Sequence, residues 1–90
     1  MARGKKEPQQ LSQSQINEVA RIVRLESGTR LVDGIRGAMT KRMIISLCQE
    51  VFGQYPNNAS VGSIAMISRL HTAEEVARDK TTLYIPRDKE

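Results

Sequence analysis

Thr29-Arg30-Leu31-Val32-Asp33-Gly34-Ile35-Arg36-Gly37-Ala38-Met39-Thr40 is the stretch on which the fold turns. Two readings fit it. Thr29 to Val32 can form a short strand, and Asp33-Gly34 is a hairpin signal. Alternatively, Thr29 caps a short helix over residues 29–37. Gly34 and Gly37 would each cost that helix about 1 kcal/mol relative to alanine. Small residues are useful where two helices pass closely, and the short helix is the preferred reading.

The pattern is clearer on either side. Thr40 can cap a helix over residues 40–52, with Gly53 just past its end. Ile44, Leu47, Cys48 and Val51 form its apolar stripe, and Met39 can staple onto Ile44. Upstream, Ser12 and Gln15 have the spacing of a capping box, and Leu11 and Ile16 that of a hydrophobic staple. A helix is therefore expected over 12–26, burying Ile16, Val19, Ala20 and Val23, with Gly28 closing it. Downstream, the Tyr55-Pro56-Asn57-Asn58 loop precedes a helix over 60–70. Thr72 and Glu75 repeat the capping-box spacing and predict a further helix over 73–79. Thr81 to Ile85 reads as one short strand closed by Pro86. The expected fold is mainly α: four short helices, a helix-turn-helix-like unit and one short C-terminal strand. Residues 1–10 read as a flexible basic arm, 11–86 as a single helical domain and 87–90 as a charged tail.

Composition narrows the function. The 90 residues carry 14 Lys and Arg against 10 Asp and Glu, a formal net charge of +4. The excess lies in the N-terminal half, beginning with Arg3, Lys5 and Lys6, which suggests an anionic partner. Phe52, Tyr55 and Tyr84 are the only aromatics. Their scarcity favours an aliphatic core and argues against single-stranded nucleic acid, which is usually bound by stacking. Cys48 is the only cysteine, so no intrachain disulfide forms and a reducing compartment is the natural home. The start, Met-Ala-Arg-Gly-Lys-Lys, lacks the apolar stretch of a signal peptide, and no apolar run is long enough to span a membrane. The expected location is cytoplasmic.

Catalytic chemistry finds little support. His71 is the only histidine, in a turn without a partner motif, and Cys48 falls on an apolar stripe. One Cys and one His cannot build a structural zinc site, and no phosphate-binding loop follows a strand. The expectation is a protein with no enzymatic activity, no cofactor and no metal.

Residues 30–52 resemble a helix-turn-helix unit at motif level. Ala38-Met39-Thr40 would be the turn and Lys41 to Phe52 the recognition helix, with small residues Gly34, Gly37 and Ala38 at the crossing. Lys41, Arg42, Ser46 and Gln49 lie on its outer side and can reach phosphates or base edges. Asp33 departs from the pattern, because it stands where the first helix should bury an apolar residue. A second candidate, residues 61–79 with Leu70-His71-Thr72 as the turn, opens its second helix with Glu74 and Glu75 and would face a polyanion poorly. The expected DNA-binding residues are thus Lys41, Arg42, Ser46 and Gln49, with Arg36 and the arm residues Arg3, Lys5 and Lys6.

These readings point to a small dimeric DNA-binding transcriptional regulator, a repressor type, with double-stranded DNA and a second copy as partners and no membrane. The alternative is a non-catalytic helical adaptor or inhibitor of another protein, using Met39, Met43 and Met66 as an adaptable surface. The homodimer is expected because a lone strand at Thr81 to Ile85 needs a partner. That partner would be Thr29–Val32, or the same strand of a second subunit.

Overall fold

The computed structural model describes residues 7–73, 76–78 and 80–86. Among them the chain forms an α+β arrangement of three helices and two small antiparallel sheets, not the mainly α, four-helix fold expected. Helix α1 spans Gln13–Ser27, α2 spans Lys41–Phe52 and α3 spans Asn58–Ile67. Strands β1 (Leu31–Val32) and β2 (Ile35–Arg36) form a hairpin. Strands β3 (Met39–Thr40), β4 (Leu70–Thr72) and β5 (Leu83–Pro86) form a second sheet in the order β3-β5-β4.

The helix starts follow local chemistry. Ser12 caps α1: its hydroxyl accepts from Gln15 N at 3.1 Å while the Gln15 side chain accepts from Ser12 N at 3.0 Å. Thr40 caps α2 through Met43 N at 3.1 Å, and Gly53 closes it in the left-handed region at φ 67°. Gly28 also stands at a helix end, but with right-handed geometry, its N–H donating to Arg24 O and Glu26 O. Helix α3 begins at Asn58, earlier than the expected residue 60, because Asn57 caps it, accepting from Ser60 N at 2.9 Å. It also ends earlier: Arg69 at φ 66° turns the chain out of the helix and into β4.

Residues 29–40 resolve as strand, against the preferred short helix. Asp33 at φ 52° and Gly34 at φ 80° occupy the two centres of a tight hairpin turn, and Gly37 adds a third left-handed residue at φ 85°. A right-handed helix accommodates none of these angles. With no helix before α2, there is no helix-turn-helix unit over residues 30–52. Met39 and Thr40, assigned to its turn, pair with Tyr84 and Leu83 instead. The second candidate fails likewise, since Leu70-His71-Thr72 is β4.

The helix expected over 73–79 is also absent: Ala73, Val76 and Ala77 are not helical. Glu74, Glu75 and Asp79 lie outside the described residues. Ala73 N donates to Leu83 O, which carries the strand-like pairing past β4, and Ala77 N donates to Thr81 O, a turn bond in place of the helical one. The C-terminal strand exists, shifted to Leu83–Pro86. Its partners are β3 on one side and β4 on the other, not Thr29–Val32 and not a second subunit. With both edges of β5 occupied within the chain, the unpaired-strand argument for a dimer falls away.

Two apolar clusters hold these elements. The larger joins Ile16, Val19, Ala20 and Val23 of α1, Ile44 and Cys48 of α2, and Val61, Ile64 and Ala65 of α3, with Leu11, Met39, Leu70 and Tyr84. The smaller joins Val32, Ala38, Ala77 and Leu83. Adjacent residues on a strand point to opposite faces, and β5 uses this directly: Tyr84 enters the larger cluster and Leu83 the smaller. No helix among the described residues is long and apolar enough to cross a membrane.

Candidate nucleic-acid interface

Helix α2 carries a mixed sequence on a rigid support. Its buried edge is Ile44 and Cys48, both fully inaccessible, which fixes the opposite edge toward solvent. Arg42 and Ser46 are exposed there, flanked by half-buried Lys41 and Gln49. All four line one open depression of about 400 Å³, together with Ile45, Tyr55 and Thr81. Four of the eight residues singled out from sequence are therefore brought together. Among the described residues that line it are two cations and no carboxylate.

The walls come from elsewhere in the chain. The loop after α2 folds back along the helix, so Tyr55 lies beside Lys41, Ile45 and Gln49. Gln9 holds that loop in place: Gln9 N donates to Tyr55 O at 2.8 Å, and Asn57 N donates to Gln9 O at 2.8 Å. Leu11 N donates to Ser60 Oγ at 2.9 Å and ties the same segment to α3. On the other side, Lys41 N donates to Thr82 O at 2.8 Å, bringing the approach to β5 against the start of α2. The Lys41 ammonium donates to Asn58 Oδ1 at 2.7 Å, which orients it without neutralising it.

A smaller depression of about 240 Å³ adjoins the first and shares Lys41, Ile45 and Tyr55 with it. Pro8 lines this one. Arg3, Lys5 and Lys6 themselves lie outside the described residues. Arg36 does not join the group. It is exposed on β2, opposite Leu31, on the hairpin. Tyr55 and Thr81 were missed from sequence: the fold-back of residues 53–57 brings in the first, and the Lys41–Thr82 backbone contact brings in the second.

Other reactive groups are placed unpromisingly for chemistry. Burial pushes the Cys48 thiol up to about 11, leaving it protonated at neutral pH. The Tyr84 hydroxyl is raised by burial as well. His71 is exposed on β4, across from Ile85. Among the described residues no group of three His, Cys, Asp or Glu side chains could hold a metal ion. Comparison with protein-family models, curated proteins and solved structures returned no match.

Proposed function

We propose that the protein is a DNA-binding regulator that docks duplex DNA on the outer face of α2. One observation carries this reading: Lys41, Arg42, Ser46 and Gln49 line a single depression that has no carboxylate among its described lining residues. The helix end adds to it. Lys41 and Arg42 are the first two residues of α2, and no acidic residue lies in its first turn. A cation at a helix N-terminus opposes the dipole and costs about 0.3–1 kcal/mol at low ionic strength. An anion bound there removes that penalty and gains the two charges. Ser46 and Gln49, further along, are able to donate to and accept from base edges or phosphate oxygens. The basic arm, reached through Pro8, supplies further phosphate contacts.

Fluorescence anisotropy with a labelled duplex tests the reading. Wild type binds with an affinity that falls steeply with salt. Lys41→Ala/Arg42→Ala, folded by circular dichroism, lowers the log–log salt slope by about 2, since each phosphate contact contributes about 0.9. Arg42→Ala alone costs about 1–3 kcal/mol if Arg42 reads a guanine, and relaxes preference at one base pair. An unchanged slope and affinity in the double variant removes α2 from the interface.

A further inference from the structure

One side chain on the outer face of α2 is out of character with its neighbours. Lys41, Ile45 and Gln49 follow one another at four-residue steps and form one row along the helix. Arg42 and Ser46 form the row beside it at the same spacing. Among the described residues lining the depression of about 400 Å³, Ile45 is the only one with a purely aliphatic side chain. It is half-buried, packing against the larger apolar cluster while it also lines the depression. Tyr55 lines both depressions with it, and Pro8 and Pro56 line the smaller one. Gln9 N holds the backbone at Tyr55 O, at 2.8 Å, so the wall beside Ile45 does not need a ligand to form.

We infer that Ile45 is a specificity-determining residue whose open side meets the C5-methyl group of thymine in the major groove. The inference rests on the nucleic-acid reading of α2 and deepens it. Lys41 and Arg42 on phosphates fix where the helix sits but carry no sequence information. An aliphatic group among them restricts what the helix can face. Base edges in the major groove offer nitrogen and oxygen donors and acceptors, and thymine alone adds a methyl group. Pressing Ile45 onto a donor or acceptor strips that group of water and returns no hydrogen bond. Pressing it onto a methyl group buries apolar surface on both sides. One contact therefore favours thymine and penalises the other bases at that position. Gln49, one turn further along the same row, can both donate to and accept from an adenine edge. The duplex class that this face selects is one rich in A·T pairs.

Two short alternating duplexes that differ by this methyl alone, poly(dA-dT) and poly(dA-dU), provide the test. Fluorescence anisotropy with each labelled duplex gives the ratio of their affinities over a range of salt concentrations. Wild type is expected to bind the thymine duplex about fourfold more tightly, the worth of one buried methyl group. Ile45→Ala, folded by circular dichroism, should bind both duplexes alike while its log–log salt slope matches wild type. Loss of packing alone would weaken both duplexes together and leave the ratio unchanged. Ile45→Gln, which keeps a long side chain there, should lose the preference too, and serves if the alanine variant fails to fold. Equal affinity of wild type for the two duplexes overturns the inference and needs no variant. So does a preference that survives in Ile45→Ala or Ile45→Gln, which would belong to the shape and stiffness of the duplex. Lys41→Ala/Arg42→Ala keeps the two readings apart. A lowered salt slope in that variant, with no thymine preference in wild type, leaves α2 on the DNA and removes only Ile45 from base reading. A wild type that binds neither duplex at low salt removes both.

Discussion

The two apolar clusters are assembled in different ways. Nine members of the larger come in runs from three helices, at spacings that put each run on one face. Each run recurs at one-, three- and four-residue steps along one face, so each stripe is fixed by its own helix before the helices meet. The smaller cluster takes Val32 from β1, Ala38 before β3, Ala77 from the segment before β5, and Leu83 from β5. Each is a single residue from a separate short piece. None of these pieces is stable alone, and their burial requires the sheet and hairpin to be in register at once. The larger cluster therefore supports the fold, and the smaller one depends on it. Met43 packs against both and couples them.

The largest expected effect strikes the shared support. Ile44 is fully inaccessible in the larger cluster. Ile44→Asp places a carboxylate there without a partner and costs roughly 4 kcal/mol or more, a large share of the 5–15 kcal/mol typical of a whole domain. Thermal melts by circular dichroism should show no cooperative transition. A melting temperature within a few degrees of wild type breaks the claim that this cluster carries the fold.

A substitution at Gly37 strikes the dependent side. Its φ is +85°, and an added Cβ meets Pro86 Cγ of β5 at 2.9 Å. Gly37→Val therefore combines backbone strain with a clash at the sheet, at a cost of roughly 1–3 kcal/mol. Hydrogen exchange should accelerate at the β3–β5 amides while α1 and α3 stay protected. Equal acceleration in all elements would show that the clusters unfold as one unit.

The same division explains what the sequence discloses. The capping box at Ser12, the cap at Thr40 and the stripe of Val19 to Val23 are local features, and each appears where its pattern places it; of the α2 stripe Ile44 and Cys48 are buried, Leu47 is half-buried and Val51 is exposed. Cys48 is read as a core residue and is fully buried. Thr72 and Glu75 have a cap's spacing too, yet no helix follows, because Ala73 is paired to Leu83 across ten residues. Asp33-Gly34 does announce the hairpin. The short-helix reading loses because it assigns those glycines to helix crossing rather than to left-handed backbone. The interface divides similarly: the outward side of α2 follows from its period, whereas Tyr55 and Thr81 arrive by tertiary folding.

A smaller effect tests the tie between hairpin and loop. Asp33 Oδ2 accepts from Arg78 N at 2.9 Å, an exposed contact spanning 45 residues of sequence. Asp33→Ala removes it and also puts an alanine at φ 52°. The expected loss is about 1–2 kcal/mol by urea denaturation. Asp33→Asn keeps an acceptor and tolerates the left-handed angle, so it should lose less than half as much. Equal losses would mean that the hydrogen bond is immaterial and the charge alone matters.

The last effect vanishes at neutral pH and emerges only in alkali, and it separates the clusters by chemistry. Cys48 and Tyr84 both belong to the larger cluster, whereas the smaller is made of Val, Ala and Leu. Burial raises the Cys48 thiol from 9.0 to about 11 and also lifts the Tyr84 hydroxyl above 10.0. Below pH 9 both groups are protonated whether the chain is folded or not, and neither contributes a pH dependence. As the pH rises past 9.0, the unfolded chain releases the thiol proton while the folded chain retains it. The unfolded state then binds fewer protons, so stability falls with rising pH until the folded thiol titrates near 11. Urea midpoints measured from pH 7 to 10.5 should be flat and then decline from about pH 9. In Cys48→Ala the whole curve sits lower, since a buried sulfur is lost, but the decline should start about a unit later, where Tyr84 takes over. A decline with the same onset in wild type and Cys48→Ala would assign the alkaline loss to groups outside the larger cluster.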